Sequence, residues 1–100
     1  MADGPKAYWI NVFTSIGDAD KLAEYARLAT PAIAESGGRF LARGPAAAVL
    51  EGAGDADRTT LIEFDSVDAA VACYHSEGYQ HALKALGDSA TRELRIVRGA

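Results

Sequence analysis

Residues 7–14, Ala-Tyr-Trp-Ile-Asn-Val-Phe-Thr, constrain the fold more than any other stretch of the chain. Their aromatic and β-branched content predicts a strand. One face of it carries Tyr8, Ile10 and Val12, the other Trp9, Asn11 and Phe13. A strand wetted on one side alternates apolar with polar residues, whereas a strand covered on both sides need not. This strand is therefore central, with protein on both of its faces.

The rest of the chain falls into elements that can supply such a setting. After a turn at Ile16-Gly17-Asp18, Leu22, Tyr25, Ala26, Ala29 and Ile33 recur at helical spacing, with Asp18 or Asp20 as the N-terminal cap. Pro31 removes a backbone donor inside this pattern, which predicts a kink or break near Thr30. Gly37 ends the helix. A strand over 39–43 follows, with Arg39, Leu41 and Arg43 on one face and Phe40 and Ala42 on the other. Val49-Leu50-Glu51 extends it after a bulge, and 52–57 reads as a hairpin loop. The strand 58–65 sets Thr60, Ile62 and Phe64 against Thr59, Leu61 and Glu63. Asp65-Ser66 caps a second helix through Val67, Ala70, Val71 and Tyr74. Ser76-Glu77-Gly78 interrupts it before Tyr79, Ala82, Leu83 and Leu86, as a bend or as the start of a separate helix. Thr91 to Val97 forms the last strand.

The order is β-α-β-β-α-β, an α+β ferredoxin-like split βαβ arrangement with an antiparallel sheet, in a single domain over 1–100 whose first five residues are frayed. Its helices cover one sheet face. Since the first strand is apolar on both, the other face calls for a second copy of the chain, and a homodimer packed sheet to sheet is expected.

Charge narrows the partners. The net charge is −4 and the ten basic residues are scattered, which argues against nucleic acid and anionic membrane surfaces. No apolar run approaches the length of a membrane span and no leader pattern is present, so a cytoplasmic setting is expected. Cys73 is the single cysteine, and His75 and His81 lack the four-residue spacing that places two ligands on one helix face, so no metal site is expected. Dinucleotide, Walker and nucleophile-elbow motifs are absent, and no cofactor is expected.

Two polar residues on otherwise apolar strands carry the candidate chemistry. Glu63 lies between Ile62 and Phe64, and a carboxylate at such a position needs a partner or a role. It is either a general base or ligand-orienting group, or the partner of Arg43 or Arg39 on the neighbouring strand. Asn11, flanked on its face by Trp9 and Phe13, either fixes a polar group of a small planar ligand or satisfies a buried backbone group. Arg43 either holds a ligand anion through its planar fork or pairs with Glu63 or Glu51. Trp9, Asn11, Phe13 and Glu63, with Arg43 behind them, are the expected lining of a mostly apolar pocket.

A set of short segments adds a separate line of argument. Ala7-Tyr8-Trp9-Ile10, Pro31-Ala32, Gly38-Arg39-Phe40-Leu41-Ala42-Arg43-Gly44, Leu50-Glu51-Gly52, Ile62-Glu63-Phe64-Asp65-Ser66 and Ala72-Cys73-Tyr74 with Tyr79-Gln80 resemble the bacterial family known as domain of unknown function thirteen-thirty. The resemblance runs over nearly the whole chain. It departs at Ser76-Glu77-Gly78-Tyr79, where a Ser-Pro-Glu-Tyr run is usual, and at Ala53-Gly54-Asp55, where a Trp-Pro pair is usual. It implies a dimeric α/β barrel and implies no reaction. Three readings follow: a binder of a small, mostly apolar organic ligand, a cofactor-free enzyme (monooxygenase-, isomerase- or cyclase-like) with Glu63 as base and Asn11 assisting, or a structural dimer module.

Overall fold

The computed structural model describes residues 5–52 and 58–100. Its elements are β1 (Ala7–Ile16), α1 (Ala19–Glu35), β2 (Arg39–Pro45), β3 (Arg58–Phe64), α2 (Val67–Tyr74), α3 (Glu77–Leu86) and β4 (Ala90–Arg98). The strands form one antiparallel sheet in the order β2-β3-β1-β4, so β1 is internal to the sheet, with helices over one of its faces and the other face open. One face of that sheet carries the core. Ala7, Trp9, Ile62 and Phe64 pack there against Tyr25, Ala29 and Ile33 of α1, Ala70 and Cys73 of α2, and Tyr79, Ala82 and Leu86 of α3. The result is a two-layer slab measuring 41 × 33 × 16 Å.

Local chemistry fixes the element ends. Asp18 accepts from the backbone N–H groups of Asp20 and Lys21, which caps α1. Ser66 and Ser76 cap α2 and α3 in the same way, so the second helical pattern is two helices rather than one bent helix. The helix α1 runs on through Pro31, without the expected break. Proline removes one hydrogen bond, and the buried stripe of Tyr25, Ala29 and Ile33 on both sides of it holds the turns together. Beyond Ser36 the N–H of Gly38 donates to Ile33 O and that of Gly37 to Ala34 O, with Gly37 at φ 87°. That pair of bonds is a Schellman stop.

Gly38 is needed for a different reason. A Cβ there would lie 2.6 Å from Ile33 Cγ2 and 2.9 Å from Phe64 Cζ, inside the core. Gly38→Ala is expected to lower stability by about 1–3 kcal/mol, the usual range for overpacking, measurable as a lower urea midpoint.

Two expectations for the middle of the chain are corrected. Val49-Leu50-Glu51 is loop rather than strand, since Pro45 closes β2; of the expected hairpin loop, 53–57 lie outside the described residues. The pairing of β2 with β3 also slips by one between Phe40 and Ala42. A bulge adds a residue to one strand and reverses the facing of everything after it. Arg43 therefore sits opposite Thr60, on the helix side of the sheet, and not on the face of Arg39.

A cleft between the first helix and the sheet

In an antiparallel pair, residues opposite one another share a face. Asn11 is opposite Thr60 on β3 and Leu94 on β4, and Phe13 is opposite Arg58 and Arg92. With Arg43 opposite Thr60, these rows place Asn11, Thr60, Phe13, Arg43, Arg58 and Arg92 at one end of the helix-facing side. There α1 stands off the sheet and leaves a cleft. Trp9, Phe13, Tyr25, Ile33, Phe40 and Ile62 form its apolar walls; Asn11, Thr30, Thr60, Arg43 and Arg58 are its polar lining. The cleft is narrow, with a cavity volume of about 30 Å³. It is a slot between side chains, with room for a water or two, and a larger guest must part the walls.

Asn11 is 3% exposed, and its Oδ1 has no hydrogen-bond partner among the described residues. Burying a polar atom unpaired costs about 1–3 kcal/mol, so such an atom at a cleft wall calls for an explanation. Arg43 lies over the Phe40 ring at 4.3 Å and donates to Thr30 Oγ1 at 3.4 Å, a long bond. Behind Phe13 and Tyr25, the guanidinium of Arg92 donates to Tyr25 Oη at 2.8 Å and to Tyr79 Oη at 3.0 Å. The two hydroxyl oxygens are 2.6 Å apart. Burial, followed by the neighbouring Tyr25 oxygen, pushes the Tyr79 hydroxyl well above the ordinary tyrosine range. Arg92 stays a cation: burial opposes its charge, and the two tyrosine oxygens outweigh that opposition. The sequence pattern places Tyr25 and Tyr79 on apolar helical stripes and does not single out Arg92. The signal was the alternation of β4, which sets Arg92 on the same face as Leu94 and Ile96.

Glu63 is not in the cleft. It is opposite Tyr8, so it faces the other side of the sheet, away from Trp9, Asn11 and Phe13. There it accepts from Tyr8 Oη at 3.2 Å and from Arg39 Nε at 3.0 Å. Arg39 also reaches Asp65, whose carboxyl is held below its ordinary range first by Lys6 and then by Arg39. Of the two arginines expected as partners, Arg39 takes the role. The five candidate residues thus divide: Trp9, Asn11, Phe13 and Arg43 line one cleft, and Glu63 belongs to an ion-pair group on the opposite face.

The histidines are exposed, His75 at the end of α2 with its ring edge-on to Tyr74 and His81 on α3. Among the described residues no three acidic, histidine or cysteine side chains gather as a metal site would require. No helix among them is long and apolar enough to cross a membrane.

Fold and cleft together define a ferredoxin-like α+β domain with an aromatic slot beneath its first helix. The chain belongs to the family described as Domain of unknown function (DUF1330), whose model matches residues 6–100. None of the curated proteins matches it. Among solved structures it is similar to a protein of unknown function from Rhodopseudomonas palustris, at 21% identity and TM-score 0.76, covering 97% of this chain and 84% of that one. It is also similar to SnoaB, a cofactor-independent oxygenase from Streptomyces nogalater, at 17% identity and TM-score 0.69, covering 96% and 94%. A dimeric ferredoxin-like protein of unknown function from Thermobifida fusca matches at 16% identity and TM-score 0.69, covering 98% and 94%. At these identities the likeness is one of fold.

Proposed function

We propose that the protein binds a small, mostly apolar organic ligand in the slot between α1 and the sheet, and does so as a homodimer joined through the open sheet faces. The orphaned Oδ1 of Asn11 carries the reading. An amide oxygen without a protein partner beside Trp9, Phe13 and Tyr25 suits a ligand hydroxyl or amine that completes it. The slot's polar lining is an amide, hydroxyls and guanidinium groups. These bind and orient at neutral pH more readily than they shuttle protons. The cofactor-free enzyme reading loses its proposed base, because Glu63 lies on the other face bound to Arg39 and Tyr8. SnoaB's description as a cofactor-independent oxygenase supports cofactor-independent oxygenation as a second reading.

The dimer is carried by the open face. Ile10 and Leu61 are opposite one another there, with Val12 39% and Val97 47% exposed beside them. The similar Thermobifida fusca protein is described as dimeric, which supports a homodimer. A reducing, cytoplasmic setting accords with this reading, since Cys73 is the single cysteine, buried and unpaired.

Asn11→Leu tests the site. Replacing an unpaired buried amide with an apolar group of similar size is neutral or stabilising. We expect an unchanged or higher melting temperature together with loss of the thermal shifts that small hydroxylated aromatics give the wild type. A marked drop in stability instead would assign Asn11 to the framework and sink the binding reading.

A further inference from the structure

We propose that the Tyr25 hydroxyl, polarised by Arg92, is an anion-binding donor of the slot, and that the slot's ligand is a hydroxylated phenol or enol bound through an ionised oxygen. This rests on the binding reading and names the ligand's chemistry.

The proton count carries it. Arg92 donates to both tyrosine oxygens, and those oxygens are 2.6 Å apart, so one O–H lies between them. The second O–H proton has no acceptor among the described residues. Tyr79 is 0% exposed and takes no part in the slot's lining, so a spare proton there would be a buried donor without a partner. That arrangement is unfavourable, because the donor loses its hydration without gaining an acceptor. Tyr25 does line the slot. The favoured arrangement has Tyr79 donating to Tyr25, which leaves the proton of Tyr25 for a guest. An O–H whose oxygen already accepts from a cation and from a second hydroxyl is a strengthened donor.

Charge points the same way. Of the seven arginines, Arg27, Arg39 and Arg95 are bonded to carboxylates. Arg92 has two neutral hydroxyls instead, and its guanidinium stands 4.9 Å from the centre of the Tyr25 ring and 5.7 Å from that of Phe13, both of them slot walls. Arg43 and Arg58 are the cations of the lining itself. Such a site favours an oxygen that carries negative charge, as preorganised donors in a water-poor pocket do. Asn11, as an acceptor, takes a hydroxyl elsewhere on the same ligand, and aromatic walls suit its ring.

The test uses 4-nitrophenol, whose absorbance reports its ionisation, with 4-nitroanisole as the neutral control. The wild type is expected to bind 4-nitrophenol preferentially as the phenolate, lowering the bound probe's apparent pKa by about one unit, a tenfold preference for the anion. Tyr25→Phe is expected to abolish that drop. Tyr79→Phe, which keeps the bond from Arg92 to Tyr25, is expected to retain most of it. Should Tyr25→Phe fail to fold, Arg92→Lys, which keeps charge but loses the two-pronged donation, is expected to lose most of the drop. A bound 4-nitrophenol with unaltered ionisation, or a drop that survives these changes at Tyr25 or Arg92, overturns the inference and leaves the binding reading standing. If the wild type binds neither probe, the binding reading falls and the inference with it.

Discussion

Trp9→Ala is expected to lower folding stability by about 3–5 kcal/mol, within the range for deleting a large buried aromatic side chain. Trp9 is 1% exposed and joins the two halves of the helical layer to the sheet. Its ring stacks on Phe64 with centroids 5.8 Å apart, meets Tyr79 edge-on at 5.0 Å, and lies 6.2 Å from Tyr74. Removing it takes contacts from β3, α2 and α3 together, so no single neighbour can collapse into the space. A domain of this size has roughly 5–15 kcal/mol in total, so the variant would stand near or below the limit of folding. Urea denaturation followed by far-UV circular dichroism reads the effect. Leu50→Ala is the control: Leu50 is 92% exposed, and its loss is expected to stay within about 0.5 kcal/mol. Trp9 also forms part of the slot's wall, so the binding variants above are better sited at Asn11 and Tyr25, where side-chain volume is nearly conserved.

The frame of the fold was legible because periodicity reports local environment. Trp9 against Ile10 identified an internal strand, the stripe of Tyr25, Ala29 and Ile33 identified α1, and Asp18 and Gly37 marked its ends. Faces within β3 were legible too: Glu63 does share a side with Leu61, as the alternation says. Which side of β1 that matches was not legible, because register is a contact between distant segments and alternation within one strand is silent about it. With Tyr8 rather than Asn11 on the side of Glu63, the two residues first considered together end up on opposite faces of the sheet. Arg43 moved for a related reason, since one extra residue at a bulge reverses parity without altering composition. Pro31 shows the complementary limit. A local rule predicted a kink or a break, and the helix runs on unbroken because tertiary packing holds its turns. Arg92 could have been found, as a charged residue on the apolar side of β4. Its significance comes only from Tyr25 and Tyr79, which are 67 and 13 residues away in sequence.

Replacing Ile10 and Leu61 together with aspartate is expected to convert a dimer into a monomer that keeps its fold. The two residues are opposite one another on β1 and β3, at the middle of the face that the helices leave open. Neither belongs to the buried cluster beneath the helices, so a carboxylate at either position stays hydrated in a lone subunit. In a sheet-to-sheet dimer the same carboxylates would be taken out of water and would meet their own copies across a twofold axis. Unpaired buried charge of that kind costs several kcal/mol per ion, more than a small interface can offset. The face already pairs its charges: Glu63 is bonded by Arg39, and Glu93 by Arg95. What stays unneutralised is apolar, Ile10, Val12, Leu61 and Val97. Sedimentation equilibrium at micromolar concentration is expected to give twice the chain mass for the wild type and a single chain mass for the double variant, with matching circular dichroism. A wild type that sediments as a folded monomer would overturn the dimer and leave the slot under α1 untouched, because that slot is built on the opposite face from residues of one chain alone.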